Sequence, residues 1–542
     1  MENSKPEWLK AKGYLHLTAQ IDVNKGAKKI IDRIQAPSFI KKYSFYPLIH
    51  TVIKERRYKK DNNGKRCHKY KKGNVVKRTA KSRPLHYATH MDAIIFGYYA
   101  SLIQEKYELS LSKSTELNSS VTAYRKIPTE VPGKYKGTIH FAKEVFDEVR
   151  IKTKEWGECA VLAFDIESFF STLNHDRLEK AWKDLFHFEE LRADHKKVFQ
   201  ATTKFSYVLL KDLKKIQNKS SSNPKTFNEK RLAKIRNHFG KFSFFESNKE
   251  FREAIKTRLL PIYKNNFRDK GTKEVIGIPQ GLPISAVLAN LYLLEFDKRI
   301  VEEAVMGLGA FYRRYSDDII VICPVETIEK IKDLVKKSLS ECLVNLSLPK
   351  TEVFKYTLFS TNELKNNILC SKIKDGQVTP NSRLTYLGFE FDGNRTFIKS
   401  ANLSRFYRRM MRAVRSKARL AIKLAEPGVK PVIFIRQLYD LYSKYPLTQK
   451  VREKKYKKLV RNGLGEYRMV VEKRKRDRIP EDTKDTLNTY ESRKDNKRMA
   501  KSNYWTYVDR ASEIMQEPAI SKQLKNQTKI LTKAIAFRLK LK

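Results

Sequence analysis

The 542-residue sequence predicts an α+β protein, and three observations carry that expectation. Two apolar, β-compatible runs, VLAFDIESFF from Val161 and AFYRRYSDDIIVICP from Ala310, surface on acidic residues. Between them, IPQGLPISAVLANLYLLEFDKRI from Ile278 opens with a Pro/Gly turn and continues as a helix rich in small residues. Beyond about Ser400 the pattern turns helical, as in LSRFYRRMMRAVRSKARLAIKL. In the last stretch Ile520, Leu524, Leu531 and Ile535 fall on one face at helical spacing.

A hydrophobic content of 41% is enough for a real core. Against 60 Asp and Glu stand 112 Lys and Arg, a net charge of +52, which calls for a polyanionic partner. Charge alone does not separate nucleic acid from membrane, but no apolar run approaches the ~20 residues of a membrane span. The N-terminus, MENSKPEWLKAKGYLHL, lacks a signal-peptide core, so the expected location is the cytoplasm.

The five cysteines (Cys67, Cys159, Cys323, Cys342 and Cys370) are scattered and never spaced as CxxC, and the ten histidines show no HxH or HExxH spacing. Any metal would therefore be held by oxygen ligands, which points to Mg²⁺ or Mn²⁺.

Taken in chain order, residues 14 to 150 mix basic and aromatic stretches. KERRYKKDNNGKRCHKYKKGNVVKRTAKSRP, from Lys54 to Pro84, reads as basic loops and short strands, and HMDAIIFGYYASLIQEKY as a buried helix. Such interleaving suits phosphate contact with base stacking, a solvated basic face being the alternative. Val161 onward reads as a buried strand that delivers Asp165 at its tip. The Lys-, Ser- and Asn-rich segment from Lys204 to Gly240 reads as a basic, partly mobile insertion. Residues 401–542 hold 38 Lys and Arg against 14 Asp and Glu, close to half of the net charge.

Nucleotidyl transfer requires simultaneous stabilisation of an attacking 3′-oxygen and a leaving pyrophosphate, which two metal ions about 3.5–4 Å apart provide. Asp165 at a strand end and Asp317 and Asp318 at a hairpin bend can converge, because neighbouring strands lie only about 4.7–4.9 Å apart. Adjacent acids are common at solvated turns. Here Phe311 and Tyr312 precede them and Ile319 to Ile322 follow, so they stand where a core strand surfaces and are costly unless paired or metal-bound.

YSDD at Tyr315 to Asp318 resembles the YxDD box of reverse transcriptases, and four further stretches resemble that family's motifs in order. These are DIESFF at Asp165, IPQGLPISAVLANLYL at Ile278, LSLPKTEVF at Leu346 and YLGFEF at Tyr386. The resemblance implies a right-hand polymerase. Fingers and palm would occupy residues 1–400, with an antiparallel palm sheet packed on helices, and a basic α-helical thumb or C-terminal region would occupy 401–542.

It also implies roles. Asp165 and Asp317 would be ligands of two Mg²⁺ ions, with the Ile166 carbonyl completing the shell and Asp318 as the supporting carboxylate. Lys350 would neutralise the leaving pyrophosphate, unless it is merely solvated. Phe170 would be the steric gate under the sugar, with ordinary core packing as the alternative. Gln280, Gly281 and Tyr315 would lie against the incoming nucleotide, and Arg83, Arg125 and Lys126 would grip its triphosphate.

GYLHL at Gly13, KSRPLHYATHMDAIIFGYYA at Lys81 and VTAYRKI at Val121 look like the bacterial abortive-infection and other defence-associated reverse transcriptases. That likeness implies an RNA-directed DNA polymerase in anti-phage defence. It would use dNTPs and a structured noncoding RNA, yield a DNA product and form a homo-oligomer. The alternatives are a template-independent or protein-primed polymerase and a nonenzymatic, maturase-like RNA-binding scaffold.

Overall fold

The computed structural model describes residues 5–55, 59–60, 66–67, 69–72, 75–78, 80–218, 226–239, 243–360, 366–444, 454–461, 467–474, 488–489 and 503–539. The chain divides into two compact units. The first comprises Met1–Ile127, Glu155–Lys355 and Ile373–Val378, and the second Pro128–Lys154, Tyr356–Lys372 and Thr379–Lys542.

Two sheets of the first unit bear on the site, beside two short two-stranded ribbons, Lys59–Lys60 with Arg66–Cys67 and Lys69–Lys72 with Val75–Arg78. In one, Leu48–Glu55 pairs antiparallel with Lys81–Tyr87 and parallel with Ser206–Leu209. In the other, Asp318–Cys323 runs antiparallel between Phe311–Tyr315 and Glu158–Asp165. Ile319, Ile320, Val321 and Ile322 are all buried, which is why this strand reads as an unbroken apolar run: both of its faces are covered. Leu162, Phe164, Ile319 and Val321 share one core with Ile331, Val335 and Leu339 of the helix Ile328–Glu341, and with Ile95, Tyr99 and Ile103 of the helix His90–Leu111.

The segment from Lys204 is integrated more deeply than its composition suggests. Ser206–Leu209 is a sheet strand, and Val208 and Leu213 are buried with Ile49, Phe244, Phe245 and Phe251 in a separate core. Its polar stretch 219–225 lies outside the described residues.

In the second unit three short strands, Leu384–Tyr386, Phe389–Phe391 and Thr396–Ile398, form an antiparallel sheet. Leu387 and Gly388 make the two-residue turn between the first pair, both at positive φ (42° and 94°), as the tightest hairpins require. The helix Ser400–Leu424 buries Met410, Val414 and Ala418 against Ile433, Leu438 and Leu531. Ile520, Leu524 and Leu531 are buried and Ile535 packs in part on the core that holds Leu531, but the run is broken: Ile520 is on the helix Pro518–Lys522, Leu524 is in the turn after it, and Leu531 and Ile535 are on the helix Gln527–Leu539.

One part of the C-terminal region departs from the helical expectation. Lys454–Arg461 and Tyr467–Arg474 are antiparallel strands paired along their whole length, so Lys454, Lys455, Lys457 and Lys458 lie on a strand. β-Compatible Tyr456, Val460, Tyr467, Val470 and Val471 favour that pairing over a helix. The side chains of these strands lie outside the described residues.

Candidate active site

The acidic residues converge through strand register. Asp318 opens its strand directly opposite Asp165, which closes the neighbouring one, so their side chains share a sheet face. Tyr315 pairs with Asp318, leaving Ser316 and Asp317 as a two-residue turn with Ser316 at φ 62°. The Ile166 N–H donates to the Asp317 carbonyl at 3.2 Å, tying the turn to the end of the acid-bearing strand. Ile166 is buried, so its backbone is what it can offer the site.

Lys350 reaches the same place from a short turn, Leu348–Lys350, docked by the Ser347 N–H on the Asp165 carbonyl (2.8 Å) and by the Glu167 N–H on the Asn345 carbonyl (2.9 Å). Its ammonium ion-pairs with the Asp165 carboxylate. Burial pushes the Asp317 carboxyl above its usual range and the Asp165 charge adds to the shift, while its own backbone, Lys350 and Lys81 work against it.

Lys81 is a participant that the sequence reading passed over in favour of Arg83. Strand alternation offered the signal, since residues two apart share a face. Arg83 itself is half exposed, and its guanidinium stands 4.0 Å from Glu55.

Beneath the turn lies a buried polar network that sequence reading also missed. Arg314 donates to Asp297 from Nε (2.7 Å) and Nη2 (2.5 Å), and its Nη1 donates to Asn290 Oδ1 and the Ser316 carbonyl, each at 3.2 Å. Tyr312 Oη donates to the same Asp297 carboxylate at 2.6 Å. Burial opposes the Arg314 charge, but the adjacent Asp297 more than offsets it and holds the guanidinium protonated. Asn290 Nδ2 donates to the Ala123 carbonyl (2.9 Å), and Tyr124 Oη donates to Ser316 Oγ (3.2 Å).

Tyr124, hydrogen-bonded to Ser316 of the turn, also lines a cavity of 280 Å³ together with Phe170, Gln280 and Gly281 among others. Phe170 is held by its carbonyl, which accepts from the Ile278 N–H at 2.8 Å. The Gln280 carbonyl accepts from the His86 N–H at 2.9 Å. Gly281 sits at φ 115°, and a Cβ there would stand 2.6 Å from the His86 carbonyl. The close backbone approach expected of Gly281 is thus made to the strand Lys81–Tyr87. Tyr315 lies beside Tyr124, ring centres 6.5 Å apart.

Arg125 corrects the sequence reading. Its guanidinium is only 4% exposed and clasps Glu108 from Nε (3.0 Å to each oxygen) and Nη2 (2.5 Å), while Nη1 donates to the Asn118 and Val121 carbonyls. All its donors face protein acceptors, so it braces the loop that presents Tyr124. Lys126 forms an ion pair with Glu7 at the surface.

The donor set fits a hard divalent cation. Asp165 and Asp317 offer carboxylate oxygens at neighbouring positions, with the Asp165 charge close enough to raise the buried Asp317 carboxyl, so a positive charge placed between them would be favoured. Among the described residues no three His, Cys, Asp or Glu side chains close into a complete cluster, and Lys350 supplies the counter-charge to Asp165.

The site thus places acids at a strand end and at a hairpin bend with a lysine beside them, an arrangement able to hold divalent cations. Residues 225–391 match the family described as reverse transcriptase (RNA-dependent DNA polymerase). The match takes in Gln280, Asp317, Asp318 and Lys350, and begins after Asp165 and Phe170. No curated protein matches the chain.

Among solved structures, apo telomerase from Candida tropicalis truncated from its C-terminal domain is similar at 10% identity and TM-score 0.35, over 60% of this chain and 54% of that one. Telomerase from Candida albicans in complex with a TWJ fragment of telomeric RNA is similar at 11% identity and TM-score 0.33, over 73% of this chain and 52% of that one. The chain thus spans about half the length of these structures. No helix among the described residues is long and apolar enough to cross a membrane.

Proposed function

We propose that this chain is an RNA-directed DNA polymerase that builds DNA from dNTPs. The observation that carries the reading is the register of Asp318 opposite Asp165, which gathers the carboxylates at one sheet end with Lys350 on Asp165. The 3′-oxygen of a growing strand would attack the α-phosphorus of a dNTP as the bond to the β-phosphate oxygen breaks, releasing pyrophosphate. Asp165, Asp317 and the Ile166 carbonyl would hold two Mg²⁺ ions, with Mn²⁺ as a substitute and Asp318 in support; when bound these stabilise the attacking and leaving oxygens. Lys350, half exposed on a flexible stem, can leave Asp165 to neutralise the departing pyrophosphate. Phe170 and Gln280, which line one cavity, would seat the sugar of the incoming nucleotide.

The finer reading is an enzyme of bacterial anti-phage defence, of the abortive-infection kind, working in the cytoplasm as a homo-oligomer on a structured noncoding RNA. The motifs at Gly13, Lys81 and Val121 support it, and the charge of +52 supports an extended RNA partner.

The test is incorporation of labelled dNTPs by purified protein with Mg²⁺ and a primed RNA template. Copying by the native protein and none by Asp165→Asn is the expected result. Undiminished copying by the variant would overturn the assignment of the site. Sequencing the RNA and DNA that copurify would test the noncoding-RNA template.

A further inference from the structure

Arg125 is clasped by Glu108 and Lys126 pairs with Glu7 at the surface, and neither cation expected from the loop at Tyr124 is among the described residues that line the cavity. The cavity nevertheless contains a positive charge, from a part of the chain to which no role has been given. Lys12 lines it together with Tyr14, Phe170, Tyr124, Gln280 and Gly281, and among the described lining residues Lys12 alone is charged.

The segment that carries Lys12 is fastened on both sides. Before it, Leu9 is buried and the Trp8 ring packs on Tyr98, with ring centres 5.1 Å apart. Gly97 permits that seat, since a Cβ there would stand 3.1 Å from the Trp8 carbonyl. After it, Tyr14 Oη donates to the Ala88 carbonyl (2.8 Å), Tyr14 stacks on His90, and the His16 ring is hydrogen-bonded to the Tyr87 carbonyl (3.0 Å). Leu17 is buried, and the Phe244 N–H donates to the His16 carbonyl at 2.9 Å. At Lys12 itself, Gln20 Nε2 donates to the backbone carbonyl at 2.8 Å, which fixes the main chain and leaves the ammonium uninvolved.

A lysine held this way, half-buried at the wall of a cavity with mostly apolar and neutral lining, gains most from an anion placed in that cavity. Partial burial weakens solvent screening and strengthens a charge-assisted hydrogen bond. The rest of the lining suits a nucleotide, with aromatic rings at Tyr14, Tyr124 and Phe170 and the amide of Gln280. We propose that Lys12 is a phosphate-binding residue of the polymerase site, so that the N-terminal segment forms one wall of the nucleotide-binding cavity. The phosphate belongs either to the incoming nucleotide or to the strand being copied; the chemistry at the ammonium is the same.

This inference rests on the polymerase reading for its biological meaning, but its test does not depend on turnover. Binding of a fluorescently labelled dNTP, with Mg²⁺, and of a short labelled single-stranded RNA is measured for the full chain and for Lys12→Gln and Lys12→Glu. Lys10→Glu is the control, because Lys10 is an exposed neighbour outside the cavity. Loss of one charge-assisted contact predicts about tenfold weaker binding for Lys12→Gln, more for Lys12→Glu, and little change for Lys10→Glu.

Weakening confined to the dNTP assigns the phosphate to the incoming nucleotide, and weakening confined to RNA assigns it to the copied strand. If both probes bind the Lys12 variants as tightly as the native chain, or if Lys10→Glu weakens them equally, the proposal is wrong. Should Lys12→Glu fail to fold, Lys12→Gln, which keeps the stem and loses only the charge, decides the matter by itself. A native chain that binds nucleotides in a Lys12-dependent manner but incorporates none would defeat the polymerase reading and leave this inference standing.

Discussion

Arg314 and Asp297, both fully buried, face each other through two hydrogen bonds of 2.7 and 2.5 Å, and the same guanidinium reaches the carbonyl of Ser316 in the turn that carries Asp317. A buried pair of this kind is a weak source of net stability but a strong constraint, because removing one partner strands the other in a nonpolar interior. Here the constraint is applied next to a carboxylate whose position decides whether the site can hold a cation. Ser316 needs such support, since a non-glycine residue at φ 62° is held there only when its surroundings determine it.

Asp297→Asn or Arg314→Met should therefore cost about 3–5 kcal/mol of folding stability, measured by urea unfolding. The double variant, which leaves no unpaired charge, should recover much of that loss. A single variant as stable as the native chain would show that the pair does not hold the turn.

Asp317→Asn should abolish nucleotide incorporation and, in chelator, leave thermal stability unchanged or raised. The sign follows from linkage. A carboxyl whose folded pKa is raised contributes stability below its unfolded pKa, and that contribution is lost as pH rises through the folded value, so at neutral pH its charge is a liability. Adding Mg²⁺ should raise the melting temperature of the native chain more than that of the variant. Equal shifts in the two proteins would argue against a cation on Asp317.

Phe170→Ala should raise incorporation of ribonucleotides relative to deoxyribonucleotides, because Phe170 lines the same cavity as Gln280 and Gly281. Competition between a dNTP and its rNTP measures the ratio. An unaltered ratio would return Phe170 to core packing against Phe169.

Changing Lys454, Lys455, Lys457 and Lys458 to Glu should weaken RNA binding and flatten its salt dependence, since each phosphate contact contributes a slope of ~0.7 on single strands and ~0.9 on duplex. The circular dichroism spectrum should keep its shape, because all four sit on one strand whose pairing is through the backbone. An unchanged affinity and slope would move RNA binding elsewhere on the chain.

The sequence by itself determined which residues could do chemistry. The apolar runs that end on Asp165 and enclose Asp317 and Asp318 were legible because a strand buried on both faces must be continuously apolar, so an acid at its end stands out. The Pro/Gly turn before Ser285 was legible from residue type, and the helix through LSRFYRRMMRAVRSKARLAIKL from its pattern.

What only the tertiary structure decided is who meets whom. Arg125 and Lys126 carry the charge that a triphosphate needs, but Glu108, 17 residues earlier, clasps the first, and Glu7, 119 residues earlier, pairs with the second. Lys12 and Lys81 look like any other lysines in so basic a chain until folding sets one in a cavity wall and the other within electrostatic reach of Asp317. Gly281 is required by the His86 carbonyl, and the Lys454 stretch pairs as a strand although its lysines permit a helix. Charge, size and periodicity are properties of single residues and local runs, and a sequence displays them. The partner of a charge is fixed by distances between segments that are far apart along the chain, and those distances exist only in the fold.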